Sequence, residues 1–122
     1  MTTLTATVVP AAAPALSKAA VLAALEAAWA APSTPVRSCG CGRAYVVVCG
    51  SRETVNAVAA AARTMTKRGT RVLFVRKNYG AAGNALHCGY DNADGRALGK
   101  AEAVAASLKA AGIPCYTDAA SD

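Results

Sequence analysis

The hydrophobic positions of the N-terminal third of the chain recur at helical spacing. Leu22, Leu25 and Trp29 lie three or four residues apart and form a narrow apolar stripe. Ser17 precedes them and is a good N-cap residue. The pattern predicts a helix over about 17–31, whose stripe needs a partner, either the rest of the chain or a second copy.

Two further patterns complete this part of the chain. Residues 3–9 alternate and are rich in β-branched types, which predicts a short strand. Residues 32–42, PSTPVRSCGCG, are dense in Pro, Ser and Gly and indicate a linker. We therefore expect an N-terminal arm over 1–42 and a compact α/β domain over 43–122.

The compact part alternates between strand and helix patterns. The run AYVVVC is apolar at consecutive positions, which is typical of a central strand buried on both faces. Pro114 lacks a backbone donor, so the last strand is expected at a sheet edge. The predicted strands are 44–49, 70–77, 85–90 and 113–117.

Two helices are predicted between these strands. Gly50 and Ser51 end the first strand and cap a helix over about 52–67, with Gly69 placed to stop it. The polar stretch DNADG at 91–95 predicts a turn in which Asp binds its own backbone. A helix over about 96–111 follows it.

From residue 43 on, the predicted order is strand, helix, strand, strand, helix, strand. A direct hairpin between two crossover helices is the split-βαβ arrangement, so we predict an α+β, ferredoxin-like sandwich with an antiparallel sheet. The first and third strands would lie in the centre, with both helices on one face.

Composition limits the remaining possibilities. With 122 residues the chain has room for one core, and no apolar run reaches the roughly 20 residues that span a bilayer. Lys18 and Glu26 interrupt the apolar stretch that most resembles a secretory signal. The five cysteines are odd in number and lack framework spacing, which favours reduced thiols in the cytoplasm.

The net charge of +6 is concentrated in one segment. Clustered cations with a nearby aromatic side chain suit phosphate contact and base stacking, or an acidic protein surface. The alternative interpretation is a solvated helix end and a charged, protected strand edge. The candidate residues are Arg63, Lys67, Arg68, Arg71, Arg76, Lys77 and Tyr79.

At the level of topology, residues 43–118 resemble the RNA-recognition motif. That resemblance implies an aromatic sheet face that binds RNA or single-stranded DNA. The third strand, within GNALHCGY, lacks the paired aromatics of that family, and only Tyr45 on the first strand matches.

A second candidate is the turn Gly50-Ser51-Arg52. Backbone donors at a helix N-terminus beside an arginine suit a bound phosphate or carboxylate. The run VVVCGSR resembles the opening of small Rossmann-like nucleotide-binding domains. The glycine-rich second loop is missing, and most turns of this composition serve the fold alone.

Metal binding and catalysis have the weakest support. Cys39, Cys41 and Cys49 are candidate zinc ligands, but paired Cys-x-x-Cys motifs are missing. The lone histidine, His87, has no nucleophile or carboxylate placed beside it by the sequence, and Cys88 resembles a small core residue.

The sequence therefore favours a non-enzymatic binding module with no cofactor, whose basic surface contacts an acidic partner protein. An adaptor or an inhibitor, such as a phage-type inhibitor of a host nuclease or polymerase, fits this description. An RNA- or single-stranded-DNA-binding domain is the first alternative, and a small nucleotide-binding domain is the second. The N-terminal helix is a candidate for self-association.

Overall fold

A computed structural model describes residues 16–36, 41–76, 83–92 and 94–121. Within these ranges the chain forms three helices and four strands. In chain order they are α1 Lys18–Ala30, β1 Cys41–Val48, α2 Arg52–Lys67, β2 Leu73–Val75, β3 Ala85–Asn92, α3 Arg96–Ala110 and β4 Cys115–Ser121. The strand predicted over 3–9 lies outside the described residues.

The four strands form one antiparallel sheet in the order β2-β3-β1-β4. β1 pairs with β3 on one side and with β4 on the other, so β1 and β3 are central and β2 and β4 are the edges. The prediction of an α+β domain with an antiparallel sheet is confirmed, and the strands occupy the predicted central and edge positions.

β1 is buried on both faces, which explains its continuous apolar run. Val46 and Val48 contact the main core, to which α1, α2 and α3 all contribute buried side chains. Tyr45 and Val47 point to the opposite face and form a smaller buried cluster with Ala85. The helices therefore cover one face of the sheet.

α1 packs against α2 and α3 of the same chain. Its buried residues are Val21, Leu25 and Ala28, whereas Leu22 and Trp29 are only partly buried. The Ser17 hydroxyl accepts a hydrogen bond from the amide of Ala20 at 3.1 Å, which confirms the predicted N-cap. The partner of the apolar stripe is thus the rest of the chain.

The segment after α1 lies close against the first turns of α3. The amide of Val36 donates to the carbonyl of Gly95 at 2.9 Å, and a Cβ on Gly99 would stand 2.0 Å from the Thr34 carbonyl oxygen. Only glycine permits this approach. The predicted linker is also shorter than expected, because β1 begins at Cys41, which pairs with β3, and Gly42 already pairs with both β3 and β4.

β2 covers 73–75 instead of the predicted 70–77. The hydroxyl of Thr66 on α2 accepts from the amide of Val72 at 3.0 Å, and its one proton is shared between the carbonyls of Val72 and Ala62, each 3.0 Å away. Both backbone groups of Val72 are therefore bound to α2, which keeps this residue out of the ladder.

The turn predicted at 91–95 is wrong in its first half, because β3 continues through Asn92. Asp91 is buried, and its two carboxylate oxygens accept from the amides of Ala97 at 2.6 Å and Leu98 at 3.1 Å. Asp91 therefore caps α3. Gly95 occupies the N-cap position and has no side chain that could accept these amide hydrogen bonds. β4 also begins later than predicted, after Pro114, whose carbonyl accepts from the amide of Cys49 at 2.8 Å.

Candidate binding surface

The basic segment predicted from the sequence is divided between three parts of the surface. Arg63, Lys67 and Arg76 line one cleft, Arg68 turns toward α1, and Arg71 lines a second cleft. Lys77 and Tyr79 lie outside the described residues. The structure thus brings together three of the seven candidates.

The first cleft, which we call the α2–β2 cleft, lies between these two elements and encloses about 480 Å³. Arg63 and Lys67 are four residues apart on α2 and therefore share a helix face. Arg76 follows β2, and its guanidinium carbon is 5.1 Å from the centre of the Phe74 ring. This cation–π contact holds the third cation at the rim.

The floor of the α2–β2 cleft is apolar. Ala59 and Ala62 line it from α2, and Val72, Leu73 and Phe74 line it from the chain at β2. Leu73 is 45% exposed, which is high for a leucine in a strand. The cleft therefore offers apolar surface that solvent can reach.

The rim of the α2–β2 cleft is positively charged and is not neutralised by the described residues. Arg63, Lys67 and Arg76 are all exposed. The ion pairs of the described residues join Arg68 to Glu26 and Arg96 to Asp94. None of the three rim cations belongs to either pair.

Arg68 is less available as a contact residue than the sequence suggested. Its guanidinium lies 3.5 Å from the Glu26 carboxylate, and both side chains are about half exposed. Exposed pairs of this kind contribute little to stability. The pair nevertheless removes one cation from the predicted surface and links α2 to α1.

The turn Gly50-Ser51-Arg52 serves the fold at each position where its contacts are described. Gly50 adopts a φ of 97° against the Pro114 ring. The Ser51 hydroxyl accepts from the amide of Thr54 at 3.2 Å and so caps α2. Arg52 is exposed, and anion binding at this turn stays a prediction.

The three cysteines whose side chains the structure describes are free thiols. Cys49 and Cys88 are partly buried, and Cys115 is buried. Burial raises the pKa of Cys88 to about 12 and also raises the pKa of Cys115. Both thiols therefore stay protonated and weakly nucleophilic near neutral pH.

The zinc hypothesis involves three other positions. Cys39 and the side chain of Cys41 lie outside the described residues, so only Cys49 can be located. Among the residues that the structure describes, no group of three His, Cys, Asp or Glu side chains is arranged to hold a metal ion.

His87 lies in the second cleft together with Trp29, Arg71, Cys88 and Lys100. Burial lowers its pKa, and the nearby Arg43 and Arg71 lower it further, so the imidazole is neutral at pH 7.

Sequence reasoning missed two features of this surface. The exposed Leu73 and the half-buried Phe74 were assigned only to a strand, although they form the floor of the α2–β2 cleft. The pairing of Trp29 with Lys100 joins residues 71 positions apart, so no local pattern could reveal it. The spacing of Arg63 and Lys67 on α2 was the usable signal for the first cleft.

The fold and the cleft define an α+β domain that presents an accessible apolar groove with a basic rim. In comparisons with known proteins, no family model, curated protein or solved structure matches the chain. Across the described part of the chain, no helix has both the length and the apolar character needed to cross a membrane.

Proposed function

We propose that this chain is a non-enzymatic binding module whose α2–β2 cleft binds an acidic segment of a partner protein. The observation that carries the proposal is the rim of Arg63, Lys67 and Arg76, which surrounds an apolar floor and has no carboxylate in ion-pair contact among the described residues. As an adaptor or an inhibitor, the module would act through the partner that it binds.

The chemistry of the cleft favours a protein partner. A floor of alanine, valine and leucine side chains gains most from an apolar side chain. A rim of cations gains from carboxylates beside that side chain, and complementary charge also accelerates association. A segment that alternates Asp or Glu with Leu, Ile or Phe has both properties.

We propose in addition that the sheet belongs to the ferredoxin-like class. The order β2-β3-β1-β4, with the helices on one face, supports this assignment. Under it, β2 is an edge strand that lies directly beside the cleft.

Binding of RNA or single-stranded DNA is the second candidate, and one observation favours it. Tyr90 is 50% exposed and Tyr116 is 45% exposed, and both belong to the sheet. Exposed aromatics can stack on bases, and Arg43, which pairs with Tyr90 on β1, could contact a phosphate. Against it, Tyr45, the side chain that resembles the family position, is only 1% exposed.

Co-purification with matched charge reversals tests the proposal. The intact chain is recovered from lysate treated with nuclease, alongside Arg63→Glu/Lys67→Glu and the control Arg52→Glu/Lys109→Glu. Both double variants change the net charge equally, so a general charge effect alters both. We expect a stoichiometric protein that the wild type and the control retain and the cleft variant loses.

Three results would count against the proposal. Recovery of nucleic acid that the nuclease removes would favour the second candidate. Loss of the partner in the control variant alone would point to the turn at Arg52. Equal retention by all three proteins would show that the α2–β2 cleft is not the contact surface.

A further inference from the structure

A second cleft, which we call the Trp29 cleft, lies beside β3 where β2 ends, and it encloses about 420 Å³. β2 pairs only with Ala85, Leu86 and His87, so within the described chain no strand covers this side of β3 after His87. The register between β1 and β3 also shifts here, between Ala44 and Tyr45. Irregular positions of this kind leave backbone groups outside the ladder and often occur beside functional sites.

Two cations from different elements converge on the Trp29 cleft. Arg71 precedes β2, and Lys100 lies on α3. The ammonium of Lys100 is 4.8 Å from the centre of the Trp29 ring and donates to the Trp29 carbonyl at 2.5 Å. These contacts fix the position of the charge without neutralising it.

No carboxylate in the described chain forms an ion pair with Arg71 or Lys100. His87 adds a neutral imidazole, and Trp29 and Leu73 add apolar surface. Among the described residues, the cleft therefore combines two cations that have no ion-pair partner with an aromatic wall. A volume of this size falls within the range typical of small-molecule sites, about 300–1,000 Å³.

We propose that the Trp29 cleft binds a small phosphate monoester, with the phosphate between Arg71 and Lys100 and an apolar or aromatic body near Trp29. A phosphate dianion balances two cations, which a monocarboxylate does not. Charge-assisted hydrogen bonds from arginine and lysine to phosphate are among the stronger polar contacts in proteins. The Trp29 cleft shares Leu73 with the α2–β2 cleft but none of its three cations, so the two proposals can be tested separately.

The chain provides two reporters for this site, because its one tryptophan and its one histidine both line the cleft. The intact protein is titrated at pH 8 and constant ionic strength with phenyl phosphate, inorganic phosphate and benzoate. We expect a saturable change in Trp29 fluorescence with phenyl phosphate, weaker saturation with inorganic phosphate, and the weakest response to benzoate.

The His87 ring resonances give a second readout. The charged and titratable groups around His87 are Arg43 and Tyr45 on β1, Arg71 before β2, Cys88 and Lys100 in the same cleft and, farther along the same sheet face, Asp118 on β4. A bound dianion stabilises the imidazolium, so the pKa of His87 should rise when phenyl phosphate is present. An unchanged titration curve under saturating ligand would contradict the proposal.

Variants separate binding at this site from general anion effects. Arg71→Ala and Lys100→Met should each weaken phenyl phosphate binding by about tenfold or more. The methionine keeps the aliphatic stem against Trp29, and Arg71 is exposed, so folding can be checked by circular dichroism. Lys109→Ala, at an exposed cation that lines neither cleft, should bind as the wild type does. Non-saturating responses, or equal affinity in all variants, would overturn the proposal.

Discussion

Replacing Asp91 by alanine should destabilise the fold, because this residue of β3 also caps α3. The side chain is 4% exposed, and its oxygens accept from the amides of Ala97 and Leu98 at 2.6 and 3.1 Å. Loss of an N-cap costs about 0.5–2 kcal/mol, and a buried donor left without a partner costs about 1–3 kcal/mol. Because both amides lose the same carboxylate, we expect a total loss of about 2–3 kcal/mol.

Urea unfolding followed by circular dichroism measures this loss. A change of this size should lower Tm by about 8–12 °C in a domain of roughly this length. Asp91→Asn keeps one acceptor oxygen but brings an NH₂ group toward the second amide, so it should lose about half as much. Asp94→Ala is the comparison variant, since the exposed Asp94 carboxylate accepts from the Arg96 amide at 3.3 Å and forms an exposed ion pair with the Arg96 guanidinium at 3.8 Å.

A stability of Asp91→Ala within about 0.5 kcal/mol of the wild type would refute this account of the cap. So would equal losses in Asp91→Ala and Asp94→Ala. The result matters for function because α3 carries Lys100, and a frayed α3 would misplace one wall of the Trp29 cleft.

Three other predictions concern separate parts of the structure. Gly99→Ala should lower the free energy of unfolding by more than about 1 kcal/mol, because the added Cβ would stand 2.0 Å from the Thr34 carbonyl oxygen. Thermal unfolding measures this loss, and an unchanged Tm would contradict the close approach of the two segments. Burial raises the pKa of Cys88 to about 12, so this thiol should resist alkylation by iodoacetamide at pH 8 in the folded chain and react in urea. Peptide mass spectrometry measures the extent of alkylation in both states. Glu26→Gln breaks the exposed ion pair with Arg68 and should change the free energy of unfolding, measured in urea, by less than about 1 kcal/mol. A larger loss would mean that the ion pair is stronger than its exposure indicates.

The helices were the most predictable part of the fold because their signals are local. Ser17 and Ser51 each cap the helix that follows them, and α2 covers the residues that its periodicity indicated. The continuous apolar run of β1 also indicated burial on both faces, as the structure shows. These features depend on residues within one turn or one strand of each other.

The strand ends depended on contacts that no local pattern contains. Thr66 on α2 binds both backbone groups of Val72 and shortens β2. Asp91 belongs to β3 yet caps α3, so its polarity resembled that of a turn residue.

The candidate site was predicted only in part for a similar reason. The cations are clustered between positions 63 and 77, but α2 and the turn after it direct them to different surfaces. Arg63 and Lys67 reach the α2–β2 cleft, whereas Arg68 pairs with Glu26 and Arg71 reaches the Trp29 cleft. The clustering of cations along the chain therefore predicted one large basic surface, whereas the structure divides these residues between three parts of the surface.

Site-specific photo-cross-linking from the α2–β2 cleft tests the central claim most directly. Phe74, which lines this cleft and not the Trp29 cleft, is replaced by a benzophenone amino acid in the full chain, and irradiation follows in nuclease-treated lysate. We expect one protein adduct whose cross-linked peptide contains both acidic and apolar residues, and which Arg63→Glu/Lys67→Glu abolishes. An adduct that persists in that variant, or one formed with nucleic acid when the nuclease is omitted, would contradict the account.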